Sequence, residues 1–214
     1  MERSLFLRVI AGKAKGRRLL SVPGEGTRPI TDRVKESLFD IIGADIEGTV
    51  LLDLFAGTGS VGIEALSRGA EHVVLVDKAL PAIQVLRKNL EITGLARQAT
   101  VIKGDAFRFV ADAAALNAAP HGFDYIYVAP PQYQELWAKA LLALDEHDLL
   151  AEDGEIIVQI HPKEAHPLAL QRFALERERR YGSTLLQFWR RRATPFMPTE
   201  PSAVAEEEAR DGLR

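Results

Sequence analysis

TVLLDLFAGTGSVG, residues 49–62, decides the fold of this chain. An apolar run ends at Asp53, a glycine turn follows, and a helical pattern begins at Ser60. Glycine is needed in such a turn because a Cβ would block a left-handed backbone or the close approach of a ligand. The stretch therefore predicts a strand, a turn and a helix start that let a nucleotide-like ligand lie against the backbone.

Three glycines of the turn also fit the dinucleotide pattern G-x-G-x-x-G, namely Gly57, Gly59 and Gly62. A nicotinamide site would bring a pyrophosphate to the start of the helix, where the acidic Asp53 is a poor neighbour. That carboxylate suits a cationic amino-acid group better, such as the ammonium of S-adenosylmethionine. A nicotinamide-dependent dehydrogenase and a tight turn without any ligand are the alternatives.

Composition bounds the class of protein. The 214 residues, of which 47% are hydrophobic, suffice for one α/β domain with a modest addition. No apolar run is long enough to span a membrane or to form a signal peptide, so we expect a cytoplasmic protein without membrane contact, and a monomer. The chain has no cysteine and its histidines show no metal-ligand spacing, so no metal is expected.

Charge is distributed unevenly along the chain. Residues 1–35 hold nine basic and three acidic residues, a net charge of +6, and because the whole chain carries −3, the other 179 residues carry −9. A basic segment on an acidic body predicts a phosphate-binding surface, with an ordinary solvated basic face as the alternative.

Hydrophobic periodicity predicts an alternation of strands and helices after residue 45. Short apolar runs, typical of strands buried on both faces, predict parallel strands at 49–54, 72–76, 99–103, 123–128 and 154–160. Helical spacing predicts helices at 60–68, 80–93, 106–116, 133–144 and 163–171. We expect two last strands, 173–180 and 184–190, to form an antiparallel hairpin that finishes the sheet.

The N-terminal part adds a smaller unit. Short strands are expected at 5–10 and 17–22 around a basic turn, followed by a helix from Ile30 to Ile42. The fold class is thus α/β: an open, mostly parallel, seven-stranded, doubly wound Rossmann-like sheet with a small basic N-terminal hairpin and helix. The predicted division of the chain is an N-terminal unit at 1–45, the sheet domain at 46–193 and a disordered acidic tail at 194–214.

Ligands of such a sheet bind outside the carboxyl ends of its strands, so the residues there form the candidate site. Asp77, at the end of the second strand, can accept hydrogen bonds from two ribose hydroxyls. Asp105 follows the third strand and is placed to accept from an adenine amino group, or only to cap the next helix. After the fourth strand, Pro130 and Pro131 form a rigid turn that offers carbonyls without competing N–H groups.

The residues at these strand ends resemble those of a known protein family. The acidic glycine turn, Asp77, Gly104-Asp105-Ala106 and the Pro-Pro turn are similar to those of class I S-adenosylmethionine-dependent methyltransferases. RVIAGKAKGRRL at 8–19 and TRPITDRVKE at 27–36 resemble the bacterial members that modify N2 of a guanine in 16S ribosomal RNA. The resemblance covers residues 7 to 190, and the second of these two segments is its most specific part.

The resemblance implies an enzyme that transfers a methyl group from S-adenosylmethionine to the exocyclic N2 of a guanine in 16S ribosomal RNA. Its partner would be ribosomal RNA or the small ribosomal subunit. The implied cofactor-binding residues are Asp53, Gly57, Gly59, Asp77, Asp105, Ala106 and Ala129. The implied RNA-binding residues are Lys13, Lys15, Arg17, Arg18, Arg28 and Arg33, and the unit at 1–45 would hold the RNA.

One departure from the family concerns the fourth strand. Members usually carry Asp-Pro-Pro and an aromatic residue, whereas this chain reads APPQY at 129–133. The predicted catalytic groups are therefore the Pro130 carbonyl, the Gln132 amide oxygen and the ring of Tyr133, which would stack on the target base, with Trp137 as a second candidate for stacking. Ala129 also leaves open a catalytically impaired RNA-binding or ribosome-assembly factor on the same scaffold.

Overall fold

The structure, a computed structural model, describes residues 7–22, 30–112 and 119–193, so the predicted tail at 194–214 lies outside the described residues. One sheet of seven strands runs in the order β3-β2-β1-β4-β5-β7-β6. The strands are β1 Val50–Asp53, β2 His72–Asp77, β3 Ala99–Lys103, β4 Phe123–Val128, β5 Leu150–Ile160, β6 Phe173–Tyr181 and β7 Thr184–Arg191. The helices are α1 Asp32–Ile42, α2 Ser60–Arg68, α3 Leu80–Thr93, α4 Ala106–Ala111 and α5 Leu136–Glu146.

Strands β1 to β5 pair in parallel, whereas β7 pairs antiparallel with both β5 and β6. The predicted α/β class with a mostly parallel seven-stranded sheet is therefore confirmed. Apolar side chains cover both faces, which is why the strands form from continuous hydrophobic runs. In β2, Val73 and Leu75 pack into one cluster with α1, α2 and α3, while Val74 and Val76 pack into a second cluster with α4 and α5.

The strand order determines where a site can form. Strands β2 and β3 are added on one side of β1, whereas β4 and the strands after it are added on the other side. In sheets of this kind a crevice opens at that switch, outside the carboxyl ends of the strands. The ends of β1 and β2, at Asp53 and Asp77, and Ala129 just after β4 therefore share one edge.

The start of α5 differs from the prediction. The helix begins at Leu136 rather than at 133. Tyr133 and Glu135 adopt left-handed backbone, with φ of 60° and 54°, which a right-handed helix cannot contain. The loop after β4 is therefore longer than the sequence pattern indicates.

Two other predicted helices are wrong in length. In place of a helix at 163–171, only Pro162–Glu164 form a short 3-10 helix, and Pro167 disfavours helical geometry at the residue before it. Helix α4 ends at Ala111 rather than at 116, because Asp112 already has extended backbone.

The predicted N-terminal strands at 5–10 and 17–22 do not form in the described part, residues 7–22. The two arms meet in a single bridge between Arg8 and Arg18. Backbone hydrogen bonds flank it, from Val9 N–H to the Arg17 carbonyl at 3.0 Å and from Leu19 N–H to the Leu7 carbonyl at 2.8 Å. The chain thus folds back on itself as expected, but without a strand ladder.

Helix α2, rather than a strand partner, holds the turn between these arms. The Lys13 N–H donates to the Ser67 carbonyl at 2.7 Å, and the Ala14 N–H donates to the Ser67 hydroxyl at 2.9 Å. Gly12 has φ of 79°, and a Cβ there would lie 1.7 Å from the Ser67 carbonyl oxygen. Only glycine allows this close approach of the turn to the helix.

A buried carboxylate, that of Glu64 in α2, joins the N-terminal segment to the sheet domain. It accepts hydrogen bonds from the N–H groups of Ile10 and Ala11 at 2.8 and 2.9 Å. Lys35 Nζ and Arg68 Nε lie 3.2 and 2.9 Å from its oxygens. Two N–H donors and two cations thus compensate for the burial of this charge.

Lys35 is fully buried, although it is one of the nine basic residues of segment 1–35. Burial lowers the pKa of Lys35, and the neighbouring Glu64 carboxylate opposes that decrease. Its Nζ also donates to the Arg8 carbonyl at 2.5 Å and to Ser60 Oγ at 3.1 Å. Lys35 therefore ties α1 to the first residue of α2 and is not part of a phosphate-binding surface.

Removing the Glu64 carboxylate should weaken the attachment of the N-terminal segment and α1 to α2. We expect Glu64→Ala to lose about 3–5 kcal/mol of unfolding free energy, because the buried Lys35 would lose its counter-charge and two part-buried N–H groups would lose their acceptor. Urea denaturation measures the loss, with Glu36→Ala as control, because Glu36 is an exposed acid of α1 whose removal should change stability by about 0.5 kcal/mol or less. Equally small losses in both variants would contradict the role given to Glu64.

Candidate functional site

The carboxyl edge of the sheet opens into a cleft of about 480 Å³. Strand ends, the glycine turn and the start of α4 line it. They bring together six of the seven predicted cofactor residues: Asp53, Gly57, Asp77, Asp105, Ala106 and Ala129. Gly59, the seventh, lies at the N-cap of α2 and is not among the lining residues.

Asp53 is the most buried of the three carboxylates, with 2% of its surface exposed. Its Oδ1 atom has no hydrogen-bond partner among the described residues. Burial, together with the neighbouring Asp77 carboxylate, raises the pKa of Asp53 to about 7. Hydrogen bonds from the backbone N–H groups of Phe55 and Gly62 oppose this increase. A buried carboxylate with an unused oxygen is suited to a cationic group that donates N–H bonds.

Asp77 holds the glycine turn from the neighbouring strand. Its Oδ2 accepts from the Gly57 N–H at 2.8 Å, and its Oδ1 accepts from the Ala79 N–H at 2.8 Å. Each carboxylate oxygen has a second lone pair. Asp77 can therefore accept from two hydroxyls in the cleft while it keeps the turn in place.

The glycines of the turn have different physical roles. Gly57 and Gly59 have φ of 51° and 76°, in the left-handed region that favours glycine. Gly62 lets α2 approach β2, since a Cβ would lie 2.7 Å from a side-chain carbon of Leu75 and 2.8 Å from one of Val73. The pattern is thus explained without a pyrophosphate. The antiparallel β7 between β5 and β6 also differs from the order 3-2-1-4-5-6 of dinucleotide-binding sheets.

Asp105 caps α4, as one of the two sequence interpretations predicted. Its Oδ1 accepts from the N–H groups of Phe107 at 3.0 Å and Arg108 at 3.1 Å. Because the cap uses Oδ1, it leaves Oδ2 for a ligand. Capping and adenine binding are therefore compatible in this side chain.

The other half of the cleft includes residues that the sequence pattern did not single out. The Tyr127 hydroxyl donates to Gln159 Oε1 at 2.7 Å, and both residues line the cleft. Burial raises the pKa of Tyr127 well above its ordinary value, and the Asp53 carboxylate adds to the increase, so the phenol stays neutral. Gln159 is a polar side chain within the apolar end of β5, and that interruption is the signal that could have found it.

The predicted catalytic residues lie on the loop after β4. Pro130 is buried, whereas Gln132 and Tyr133 are exposed. None of the three lines the cleft, although their neighbour Pro131 does. Trp137 is fully buried, so the suggestion that it stacks on a base is wrong.

Five of the predicted RNA-binding residues are exposed, namely Lys13, Lys15, Arg17, Arg18 and Arg33, while Arg28 lies outside the described residues. We call the first four the basic turn. The same segment continues to Ser21 and Val22, which line the cleft. The basic turn therefore leads directly to the candidate site.

Two negative findings concern only residues 7–22, 30–112 and 119–193. No group of three or more acidic or histidine side chains there could hold a metal ion. No helix in the same ranges is long and apolar enough to cross a membrane.

Comparison with known proteins relates the chain to RNA-modifying proteins. The family model described as Conserved hypothetical protein 95 matches residues 7–190. YlbH of Bacillus subtilis, named as a candidate rRNA methyltransferase, is 44% identical over 87% of this chain and 100% of its own length. Ribosomal RNA small subunit methyltransferase D of Escherichia coli is 33% identical over 87% of this chain and 91% of its own.

Solved structures agree on the fold. The Escherichia coli protein yhhF, named as a candidate methyltransferase, superposes with a TM-score of 0.74 at 31% identity and covers 88% of this chain and 99% of its own. An RNA methyltransferase from Salinibacter ruber, in complex with S-adenosyl-L-homocysteine, has a TM-score of 0.60 at 18% identity and covers 81% of this chain and 98% of its own. At that identity the likeness concerns the fold alone.

The raised pKa of Asp53 predicts a pH-dependent stability. Between the ordinary value of 3.8 and the folded value of about 7, the folded protein binds more protons than the unfolded chain, so its stability decreases as pH rises through this window. Asp53→Asn removes the titrating group. Its stability advantage over the unmodified protein should therefore grow from near zero at about pH 4 to a few kcal/mol above about pH 7.

Urea denaturation at several pH values measures this difference. Asp40→Asn is the control, because Asp40 is an exposed acid of α1 and its removal should leave the pH profile unchanged. A difference between Asp53→Asn and the unmodified protein that stays constant across the window would contradict the buried, protonated state of Asp53.

Proposed function

This chain belongs to the Conserved hypothetical protein 95 family, and we propose that it transfers a methyl group from S-adenosylmethionine to the exocyclic N2 of a guanine in small-subunit ribosomal RNA. The names of its relatives support the coarser part of this proposal, a methyltransferase that acts on ribosomal RNA. The choice of guanine N2 rests on the resemblance of segments 8–19 and 27–36 to the bacterial enzymes that modify that atom.

One observation carries the proposal: the unpartnered Oδ1 of Asp53, buried at the end of β1. The ammonium of S-adenosylmethionine would give this oxygen both a positive charge and an N–H donor. A pyrophosphate would instead bring negative charge beside Asp53 and Asp77. The residues of the cleft therefore fit a cationic amino-acid donor better than a nicotinamide dinucleotide.

The remaining parts of the donor have matching residues. We assign the ribose hydroxyls to the two oxygens of Asp77, which keep free lone pairs beside the glycine turn. The adenine amino group fits the Asp105 oxygen that the helix cap does not use. Ala106 and Ala129 are small enough to let the adenosine approach the strand ends.

When bound, S-adenosylmethionine would supply an electrophilic methyl group, so that the guanine nitrogen would gain a C–N bond as the S–C bond breaks and would release its proton to solvent. Residues that hold the reacting atoms in line can contribute about 7–11 kcal/mol to the rate. The guanine amine is a poor nucleophile because its lone pair is delocalised into the ring. Acceptors aimed at its hydrogens therefore help most as the new bond forms.

Ala129 offers no side-chain acceptor where the family that this chain resembles usually carries Asp. We assign that task to the Pro130 carbonyl and the Gln132 amide oxygen. Tyr133, with 65% of its surface exposed, is the aromatic side chain available to stack on the target base. Bringing a base of folded RNA to this loop requires extruding it from its stack.

A second candidate function is an RNA-binding or ribosome-assembly factor that has lost catalysis. The absence of a carboxylate at Ala129 favours it, as does the fact that Pro130, Gln132 and Tyr133 do not line the cleft. Such a factor would keep the basic turn and would not turn over S-adenosylmethionine.

Labelled methyl transfer to unmodified small ribosomal subunits separates the two functions. We expect one methyl group per subunit, and a loss of about tenfold or more in kcat/KM for Tyr133→Ala with unchanged affinity for S-adenosylmethionine. Leu142→Ala, which removes an exposed apolar side chain of α5, is the control and should behave like the unmodified protein. Binding of the donor without any transfer would favour the assembly factor, and a label on another atom would refute guanine N2.

The basic turn should contact phosphates of the RNA. Changing Lys13 and Lys15 to Gln should flatten the dependence of log Kd on log salt by about two units, one for each lost phosphate contact. Changing Arg179 and Arg180 of β6 to Gln removes the same charge from an exposed edge strand and serves as the matched control. Identical slopes in the two variants would rule out the basic turn as the docking surface.

A further inference from the structure

The loop after β4 has an unusual backbone at two positions. Among the described residues, Tyr133 and Glu135 are the non-glycine residues with positive φ, 60° and 54°. Side chains disfavour this conformation, and it persists only where the surrounding structure imposes it. The loop is therefore held by a contact from outside it, and that contact comes from the short 3-10 helix that follows β5.

That contact is the carboxylate of Glu164, which is 7% exposed and follows β5 in the 3-10 helix Pro162–Glu164. Its Oε1 accepts from the Tyr133 N–H at 2.7 Å. Its Oε2 accepts from the His161 N–H at 3.3 Å. One buried carboxylate thus links the loop after β4 to the end of β5.

The side chains around Glu164 also fix the ring of Tyr133. The His161 and Tyr133 rings lie 5.6 Å apart with an interplanar angle of 41°. His161 Nδ1 in turn accepts from the Lys163 N–H at 3.1 Å, which sets the orientation of the imidazole. The Tyr133 ring is thus supported at its side and still 65% exposed.

We propose that Glu164 is a positioning residue: it holds Tyr133 in the left-handed conformation that presents the ring to the target base. This inference rests on the proposed function, in which Tyr133 stacks on the guanine. Glu164 itself touches neither the donor nor the base in this account. It acts through the Tyr133 N–H, while His161 keeps the ring from turning away.

Glu164→Gln is the sharpest variant, because it keeps the shape of the side chain. The Tyr133 and His161 N–H groups bind different oxygens of the carboxylate, and an amide replaces one of these oxygens with an NH₂ group that cannot accept, so the variant cannot keep both contacts. We expect kcat/KM for ribosomal substrate to fall about tenfold, with the Kd for S-adenosylmethionine unchanged. Glu152→Gln makes the same change at an exposed glutamate of β5 and is the matched control, so it should keep the kcat/KM of the unmodified protein.

A double-mutant cycle distinguishes positioning from a purely structural role. In Tyr133→Ala the backbone N–H still binds Glu164, so the stability effect of Glu164→Gln should be the same in both backgrounds. Its effect on kcat/KM should disappear in the Tyr133→Ala background, because the ring that Glu164 positions is absent. Additive losses of kcat/KM, or a Glu152→Gln variant as impaired as Glu164→Gln, would overturn the proposal.

Amide hydrogen exchange gives a readout that needs no RNA. The Tyr133 N–H should exchange slowly in the unmodified protein and rapidly in Glu164→Gln. Rapid exchange in the unmodified protein would refute the contact. An unmodified protein that transfers no methyl group refutes the proposed function and, with it, the role of the ring, whatever the exchange shows.

Discussion

The arrangement of the molecule depends on one buried carboxylate, that of Glu64. It accepts hydrogen bonds from the Ile10 and Ala11 N–H groups, which directly precede the basic turn, and it pairs with Lys35 from α1. Lys35 also reaches Ser60, the first residue of the helix that follows the glycine turn. The segment that carries the cationic surface and the turn that lines the cleft are therefore fixed to each other by the same cluster of charges.

The cleft places two carboxylates in an electrostatically unfavourable arrangement. Asp53 is buried next to Asp77, and the backbone N–H groups nearby only partly offset that burial. Such an arrangement weakens the folded protein at neutral pH, because one carboxyl must either hold a proton or lie charged in an apolar site. A cationic ligand removes this conflict. Under the proposed function, the site would gain from its ligand the charge that the chain does not supply, which is a common trade between stability and binding.

Local sequence patterns predicted most strands of the sheet and the half of the cleft that is lined by the glycine turn and the acidic strand ends. The short apolar runs, the glycine turn and the acids at strand ends are signals that lie within a few residues of what they determine. The pairing of Glu64 with Lys35 and the contact of Glu164 with Tyr133 join residues that are distant in the chain, so no local pattern reveals them. The predictions of the α5 start and of the N-terminal strands are wrong for the same reason, because contacts with Glu164 after β5 and with α2 override local propensity.

In the proposed function, Asp53 and Asp77 hold the cationic methyl donor at the carboxyl edge of the sheet. Calorimetric titration with S-adenosylmethionine in two buffers of different ionisation enthalpy, at about pH 6.5, tests it most directly. Because the pKa of Asp53 is raised to about 7, the ammonium should displace a proton from it. We expect saturable one-to-one binding, with a binding heat that changes with the ionisation enthalpy of the buffer in the direction of proton release. Absence of binding, or binding without proton release, would contradict it.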